Sequence, residues 1–258
     1  MTLTDASVLI TGASSGLGAE FATQFARRGH DLVLVARRAE RLQELSDCLR
    51  REYGVCAYPI GADLAVDGAA RALRQQVRER EVRIGGLVNN AGFGLKGALV
   101  EADPARLDEM VRLNVGAVVA MTREFLPDIL AADGLLVNVA STAAFQPCPT
   151  MAAYGASKSF VLNFTEAVAH EVRGTGARVL AISPGATRTE FFDVVGDASA
   201  AVGRFQSSAQ VVSRTFRALE SGSRPPSVVS GWSNAATAAL TRLLPRRALL
   251  AISGRVLT

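Results

Sequence analysis

The chain has 258 residues, 49% of them hydrophobic, with a formal net charge of +4, enough for one large α/β domain with a sizeable core. Its arginines are scattered rather than blocked, which argues against a nucleic-acid surface. Cys48, Cys56 and Cys148 lack metal-like spacing and stand apart from His30 and His170; no signal peptide precedes the first strand and no apolar run reaches the ~18 residues of a membrane span, so no metal and a reducing, cytoplasmic location are expected.

Ser7 to Ile10 reads as the first strand, and Thr11-Gly12-Ala13-Ser14-Ser15-Gly16-Leu17-Gly18 follows it and opens a helix, Ala19 to Arg28. Gly12 permits the tight turn, Gly16 lets the backbone approach a pyrophosphate, and Gly18 lets the helix pack close to the sheet. The amides of the helix N-terminus then point at the phosphates. Gly12, Ser14, Ser15, Gly16, Leu17 and Gly18 are therefore expected to bind a dinucleotide.

The second strand, Asp31 to Val35, is followed by Ala36, Arg37 and Arg38, with no acid. An acid here would accept bonds from the ribose 2′-hydroxyl of NAD, whereas arginine donates parallel bonds to a 2′-phosphate. Arg37 and Arg38 predict NADP(H) in preference to NAD(H).

Further along, Arg38 to Arg51, Gly68 to Glu81, Pro104 to Leu130 and Met151 to Arg173 read as helices. Val55 to Ile60, Gly86 to Asn89, Leu135 to Val139 and Arg178 to Ser183 read as strands. This alternation means βαβ units and a parallel sheet. Strands hydrophobic along nearly their whole length fit burial on both faces. After Ser183 come a Pro-Gly turn, an irregular segment at about 186–208, a helix at about Ala209 to Glu220, a strand near Ser227 to Ser230, and an amphipathic stretch, Trp232 to Thr258, broken by Pro245. With no repeat or long linker, residues 1–258 form a single domain.

Of 28 basic residues only Lys96 and Lys158 are lysine. Lys158 stands four residues after Tyr154, on the same helical face, where a compact ammonium can shift the pKa of a phenol and make it a general acid or base.

These motifs, taken in order, resemble those of the short-chain dehydrogenase/reductase family, in its main branch of roughly 250 residues. The resemblance covers Ser7 to about Thr189. It implies a Rossmann-type, doubly wound, mainly parallel seven-stranded sheet with helices on both faces. Thr11 to Gly18 resembles the family's cofactor loop, and Asp63-Leu64 the acid that bonds the adenine amino group. Asn89-Asn90-Ala91-Gly92 resembles the segment that supports the sheet and lines the cofactor site. Pro184-Gly185, Thr187 and Thr189 belong to a stretch resembling the loop that contacts the nicotinamide amide.

By the same resemblance Asn114, Ser141, Tyr154 and Lys158 are the catalytic set. Ser141 would bond the substrate oxygen, and Tyr154 would give or take its proton. Lys158 would lower the pKa of Tyr154 and bind the nicotinamide ribose, and Asn114 would hold a water linking Lys158 to solvent. The resemblance also implies a pocket lined by Ala143, Ala144, Phe145, Gln146, Phe191, Phe192 and Val195, with Cys148 in the loop beside it. That lining predicts a small hydrophobic carbonyl or alcohol as substrate. His30 is expected to cap a helix.

The expected activity is hydride transfer, in a homodimer or homotetramer. The alternative is a non-catalytic NADP-sensing or regulatory protein on the same fold. For the tail, two uses stay open: covering the pocket or packing on a neighbouring subunit, which is preferred, and peripheral contact with a membrane surface through its arginines and leucines.

Overall fold

The structure is a computed structural model that describes residues 6–191 and 205–257. Seven strands, β1 (Ser7–Thr11), β2 (Leu32–Ala36), β3 (Ala57–Gly61), β4 (Ile84–Asn89), β5 (Leu135–Val139), β6 (Arg178–Ser183) and β7 (Ser227–Val229), form one sheet in the order β3-β2-β1-β4-β5-β6-β7. Every pairing is parallel. The order reverses between β1 and β4, whose carboxyl ends open a crevice.

The helices are α1 (Gly16–Ala26), α2 (Ala39–Tyr53), α3 (Ala69–Glu79), α4 (Pro104–Val111), α5 (Val118–Ala131), α6 (Ala152–Glu171), α7 (Ser208–Leu219), α8 (Trp232–Thr241) and α9 (Arg246–Leu257). Alternation along the strands divides them between two cores. Val8 and Ile10 point to one face with Phe21, Phe25, Leu42, Leu49 and Phe216, from α1, α2 and α7. Leu9, Val33 and Val35 point to the other with Leu73, Val77, Phe125 and Val168, from α3, α5 and α6. Both faces are covered, which is why the strands read as hydrophobic throughout.

Three local features differ from the periodicity. The stretch expected as one helix from Pro104 to Leu130 is interrupted by a π-helical turn, Arg112–Ala117, that contains Asn114. Pro59 lies inside β3, tolerated because β3 pairs only with β2 and is an edge. Gly29, at φ 79°, closes α1. The amides of Gly29 and His30 bond Ala26 and Phe25 carbonyls, and the His30 ring packs edge-on against Phe25.

The tail is two helices separated at Pro245. Asn234 of α8 lies against Gly185, and Arg242 stacks over Phe145 at 5.7 Å. Among the described residues no helix is long and apolar enough to cross a membrane.

Gly134, at the entry to β5, marks a close approach of two backbones. A Cβ built there would overlap the Gly85 carbonyl oxygen. Gly134→Ala is expected to destabilise the protein by about 3 kcal/mol or more, read from urea unfolding; a loss below about 0.5 kcal/mol would show that the approach is not constrained.

Candidate active site

The crevice at the carboxyl ends of β1 and β4 is a single cleft of about 450 Å³. Its phosphate end is built from backbone. Gly12 and Gly16 have φ of 64° and 55°, conformations that favour glycine. A Cβ at Gly12 would meet Asn90 Nδ2 at 2.8 Å, and one at Gly16 would meet Thr189 at 3.1 Å. Gly18 faces away from the cleft, against the Gly12 carbonyl. Ser15, the N-cap of α1, makes no side-chain cap bond, so the amides of the first turn are left for an anion.

Thr11 and Asn90 tie this loop to β4. Thr11 Oγ1 accepts from the amides of Asn90 and Ala91 at 2.9 and 3.0 Å, and Asn90 Nδ2 donates to the Thr11 carbonyl at 2.9 Å. The bare glycines and uncapped helix form a cradle that fits a dinucleotide pyrophosphate. Asp63 and Leu64 line the cleft beside it, where Asp63 Oδ1 accepts from the Ala65 amide at 2.9 Å.

Arg37 and Arg38 stand at the mouth of the cleft, each paired with a carboxylate. Arg37 Nη1 meets Glu109 Oε1 at 2.8 Å, and Arg38 Nη1 meets Glu190 Oε2 at 2.9 Å. Arg106 pairs with the same Glu109 and lies over the Phe93 ring at 4.6 Å. Sequence reasoning missed Arg106, Glu109 and Glu190: they sit in irregular or amphipathic stretches, and no spacing marks them as neighbours of Arg37 and Arg38.

At the other end Ser141 closes β5, and Tyr154 and Lys158 project from the first turns of α6. Ser141 and Tyr154 line the same cleft, and Ser141 Oγ accepts from the Ala143 amide at 3.1 Å. Lys158 Nζ donates to the Val139 carbonyl at 2.8 Å and lies 5.9 Å from the Tyr154 ring centroid. Tyr154 and Lys158 are buried. Burial pushes the Tyr154 phenol up to about 12, against a smaller downward pull from Ser141. Burial also pulls the Lys158 ammonium down to about 8. Desolvation disfavours both charged forms, and for the Tyr154 phenol it is the largest influence.

Asn114 stands behind the cleft wall rather than in it. Its Nδ2 donates to the Phe93 carbonyl at 2.9 Å and to Ser157 Oγ at 3.1 Å, and its Oδ1 accepts from the Phe93 amide at 3.1 Å. Ser157 in turn donates to the Tyr154 carbonyl at 2.7 Å. Beneath this, Asn89 bonds Asn138 at 2.9 Å and Asn138 bonds Thr165 at 2.8 Å, joining β4, β5 and α6 through buried amides. Asn138 and Ser157 were not legible as site supports, since each occupies an ordinary position in its strand or helix.

Pro184, Gly185, Thr187 and Thr189 line the cleft opposite Ser141, with Ala91 and Gly92 on the β4 side. Phe191 packs on Tyr154 with ring centroids 5.4 Å apart. Ala143, Gln146 and Cys148 line the substrate end, and Met151, absent from the expected lining, joins them. Ala144 and Phe145 pack instead against the cluster around Val161 and Leu162. Phe192 and Val195 lie outside the described residues. Burial raises the Cys148 thiol to about 11.

One crevice thus holds a glycine cradle, paired arginines and Ser141 beside the buried Tyr154 and Lys158. Comparison with known proteins gives the family. Residues 6–199 match the family model described as short chain dehydrogenase, and the chain belongs to that family. It is an oxidoreductase that acts on CH–OH donors and binds a nicotinamide cofactor. It is 37% identical to sulfoacetaldehyde reductase 2 of Chromohalobacter salexigens over 187 residues, 71% of this chain and 73% of that one. Among solved structures it resembles a short-chain dehydrogenase from Sphingobium yanoikuyae in complex with NADPH, with 34% identity, 95% of both chains covered and a TM-score of 0.83. It also resembles a short-chain dehydrogenase/reductase from Burkholderia phymatum in complex with NAD, with 27% identity, 93% and 94% covered and a TM-score of 0.80.

A lysine with a depressed pKa costs folding free energy while it is charged. The unfolded chain binds more protons than the folded one between pH about 8 and the ordinary 10.5, so this contribution raises stability as pH climbs through that window. In the cofactor-free protein Lys158→Met should be more stable than the parent at pH 7, by up to about 3 kcal/mol, and the gap should shrink by pH 10. Denaturant titrations at both pH values check this, and a pH-independent gap would contradict it.

Proposed function

We propose that this protein interconverts a hydrophobic ketone or aldehyde and its alcohol with NADP(H), using Tyr154 as general acid and base. The observation that carries this reading is that Tyr154 and Ser141 share one cleft with Lys158, the glycine loop, Arg37 and Arg38. The cofactor supplies or accepts the hydride. Ser141 bonds the substrate oxygen and stabilises charge developing there. Tyr154 gives that oxygen its proton in reduction and removes it in oxidation.

Lys158 binds the nicotinamide ribose hydroxyls and offsets the burial that keeps the phenol neutral. Asn114 holds Phe93 and, through Ser157, the first turn of α6. It also links Lys158 to solvent through a water, a role supported by Asn114 Oδ1 and Lys158 Nζ both facing the bare Cα of Gly92.

Preference for NADP(H) rests on Arg37 and Arg38, and the NADPH in the Sphingobium structure supports it. Sulfoacetaldehyde, named for one relative, is a small anion. Here Ala143, Cys148, Met151 and Phe191 line the cleft along with Gln146, which favours an apolar substrate. The catalytic reading is preferred to the non-catalytic alternative because Ser141, Tyr154 and Lys158 line one cleft, with Asn114 behind its wall. The tail, with Asn234 at Gly185 and Arg242 over Phe145, serves as a brace behind the pocket rather than as a membrane contact. A homodimer or homotetramer in the cytoplasm belongs to the same reading.

A screen of apolar ketones, aldehydes and alcohols, followed by NADPH absorbance, tests this function. Turnover of at least one substrate is expected, with kcat about 10²- to 10⁴-fold lower in Tyr154→Phe. Cofactor binding without turnover, or unchanged turnover in the variant, would refute it.

A further inference from the structure

Arg41, which no motif singles out, and Glu190, at the end of the loop that begins at Pro184, meet Arg38 at the mouth of the cleft. Arg38 Nη1 bonds Glu190 Oε2 at 2.9 Å, and Arg41 Nη1 bonds Glu190 Oε1 at 2.6 Å. The rest of the Arg38 guanidinium turns to the glycine loop. Its Nε and Nη2 donate to Ser14 Oγ at 3.2 and 3.0 Å, and Nη2 donates to Ser15 Oγ at 2.9 Å. Arg41 first and Arg38 second hold the Glu190 carboxyl below its ordinary pKa, so the two guanidinium groups stand around a full negative charge.

That arrangement is an anion seat with an anion of the chain's own in it. A carboxylate brings one charge and two acceptor oxygens. A phosphate monoester brings between one and two charges and three acceptor oxygens, and planar guanidinium forks bond it in pairs. Resting on the NADP(H) reading above, we propose that Arg41 completes the 2′-phosphate seat with Arg38, Ser14 and Ser15, and that Glu190 occupies this seat in the cofactor-free protein as an intramolecular competitor. Glu190 is then a specificity-determining residue. A ligand that needs the seat has its apparent affinity reduced by the fraction of molecules in which the seat is free. NAD(H) carries no 2′-phosphate and does not meet this competition.

The competitor must be displaceable, and its exposure makes it so. Arg38, Arg41 and Glu190 have side chains 44%, 48% and 42% exposed, and ion pairs of that kind are weak. Removing one competing carboxylate should therefore change affinity by about three- to tenfold. Phe191, the next residue, packs on Tyr154, so residues 190 and 191 touch both ends of the cleft.

The test is calorimetric titration of the intact chain, and of Glu190→Gln and Arg41→Gln, with adenosine 2′,5′-bisphosphate and adenosine 5′-phosphate. Glu190→Gln is expected to bind the bisphosphate about three- to tenfold tighter and the monophosphate as the parent does. Arg41→Gln is expected to lose a similar factor for the bisphosphate alone. Equal affinity of the parent for both nucleotides would remove the NADP(H) reading and the proposal with it. A parent that prefers the bisphosphate, with Glu190→Gln unchanged or tightened equally for both nucleotides, or with Arg41→Gln unchanged, would overturn the proposal and leave that reading standing.

Discussion

Burial of the Lys158 ammonium, with no salt bridge to a carboxylate among the described residues, is the constraint on which this end of the cleft depends. Lys158 is almost fully enclosed, and its Nζ donates to the Val139 carbonyl, a dipole rather than a charge. A neutral partner offsets part of the desolvation cost and no more. The same enclosure holds the Tyr154 phenol protonated. The cofactor-free site is thus poised as an acid: the phenol keeps its proton, and Lys158 lies within reach of neutrality near pH 8. A nicotinamide cation arriving in this low-dielectric space would act on the phenol far more strongly than it would in water.

That enclosure lies where the sheet order reverses between β1 and β4. Glycine at positions 12, 16 and 18 lets the first βα turn lie close to Asn90, Ala91 and Thr189, while Thr11 and Asn90 fix it by backbone bonds. The phosphate end consists of amides and stays wet at its mouth, where Arg37, Arg38 and Arg41 are held by Glu109 and Glu190. The catalytic end is dry and supported from behind by Asn114, Ser157 and the Asn89–Asn138 bond. One cleft therefore combines exposed, ion-paired arginines with a buried tyrosine and lysine.

Much of this was legible in the sequence because it follows from periodicity or from residues close in the chain. Strands buried on both faces read as continuous apolar runs, and the glycine loop sits between its own strand and helix. Tyr154 and Lys158 share a helical face by spacing alone. The features that escaped depend on distance in sequence or on competing energies. Arg38 and Glu190 lie 152 residues apart, and no pattern in either segment announces the other. The π-helical turn at Asn114 leaves the amphipathic rhythm of Pro104 to Ala131 almost intact. The size of the desolvation at Tyr154 is likewise not written in its spacing from Lys158, because it depends on the strands and loops that enclose both side chains.

The account therefore stands on the ionisation of one phenol. The direct measurement is an ultraviolet difference titration of tyrosinate, parent minus Tyr154→Phe, without and with saturating NADP⁺. Without cofactor Tyr154 should ionise near pH 12, and with NADP⁺ it should ionise several units lower. Ionisation that stays near 12 in the complex would contradict the proposal that Tyr154 is the general acid and base.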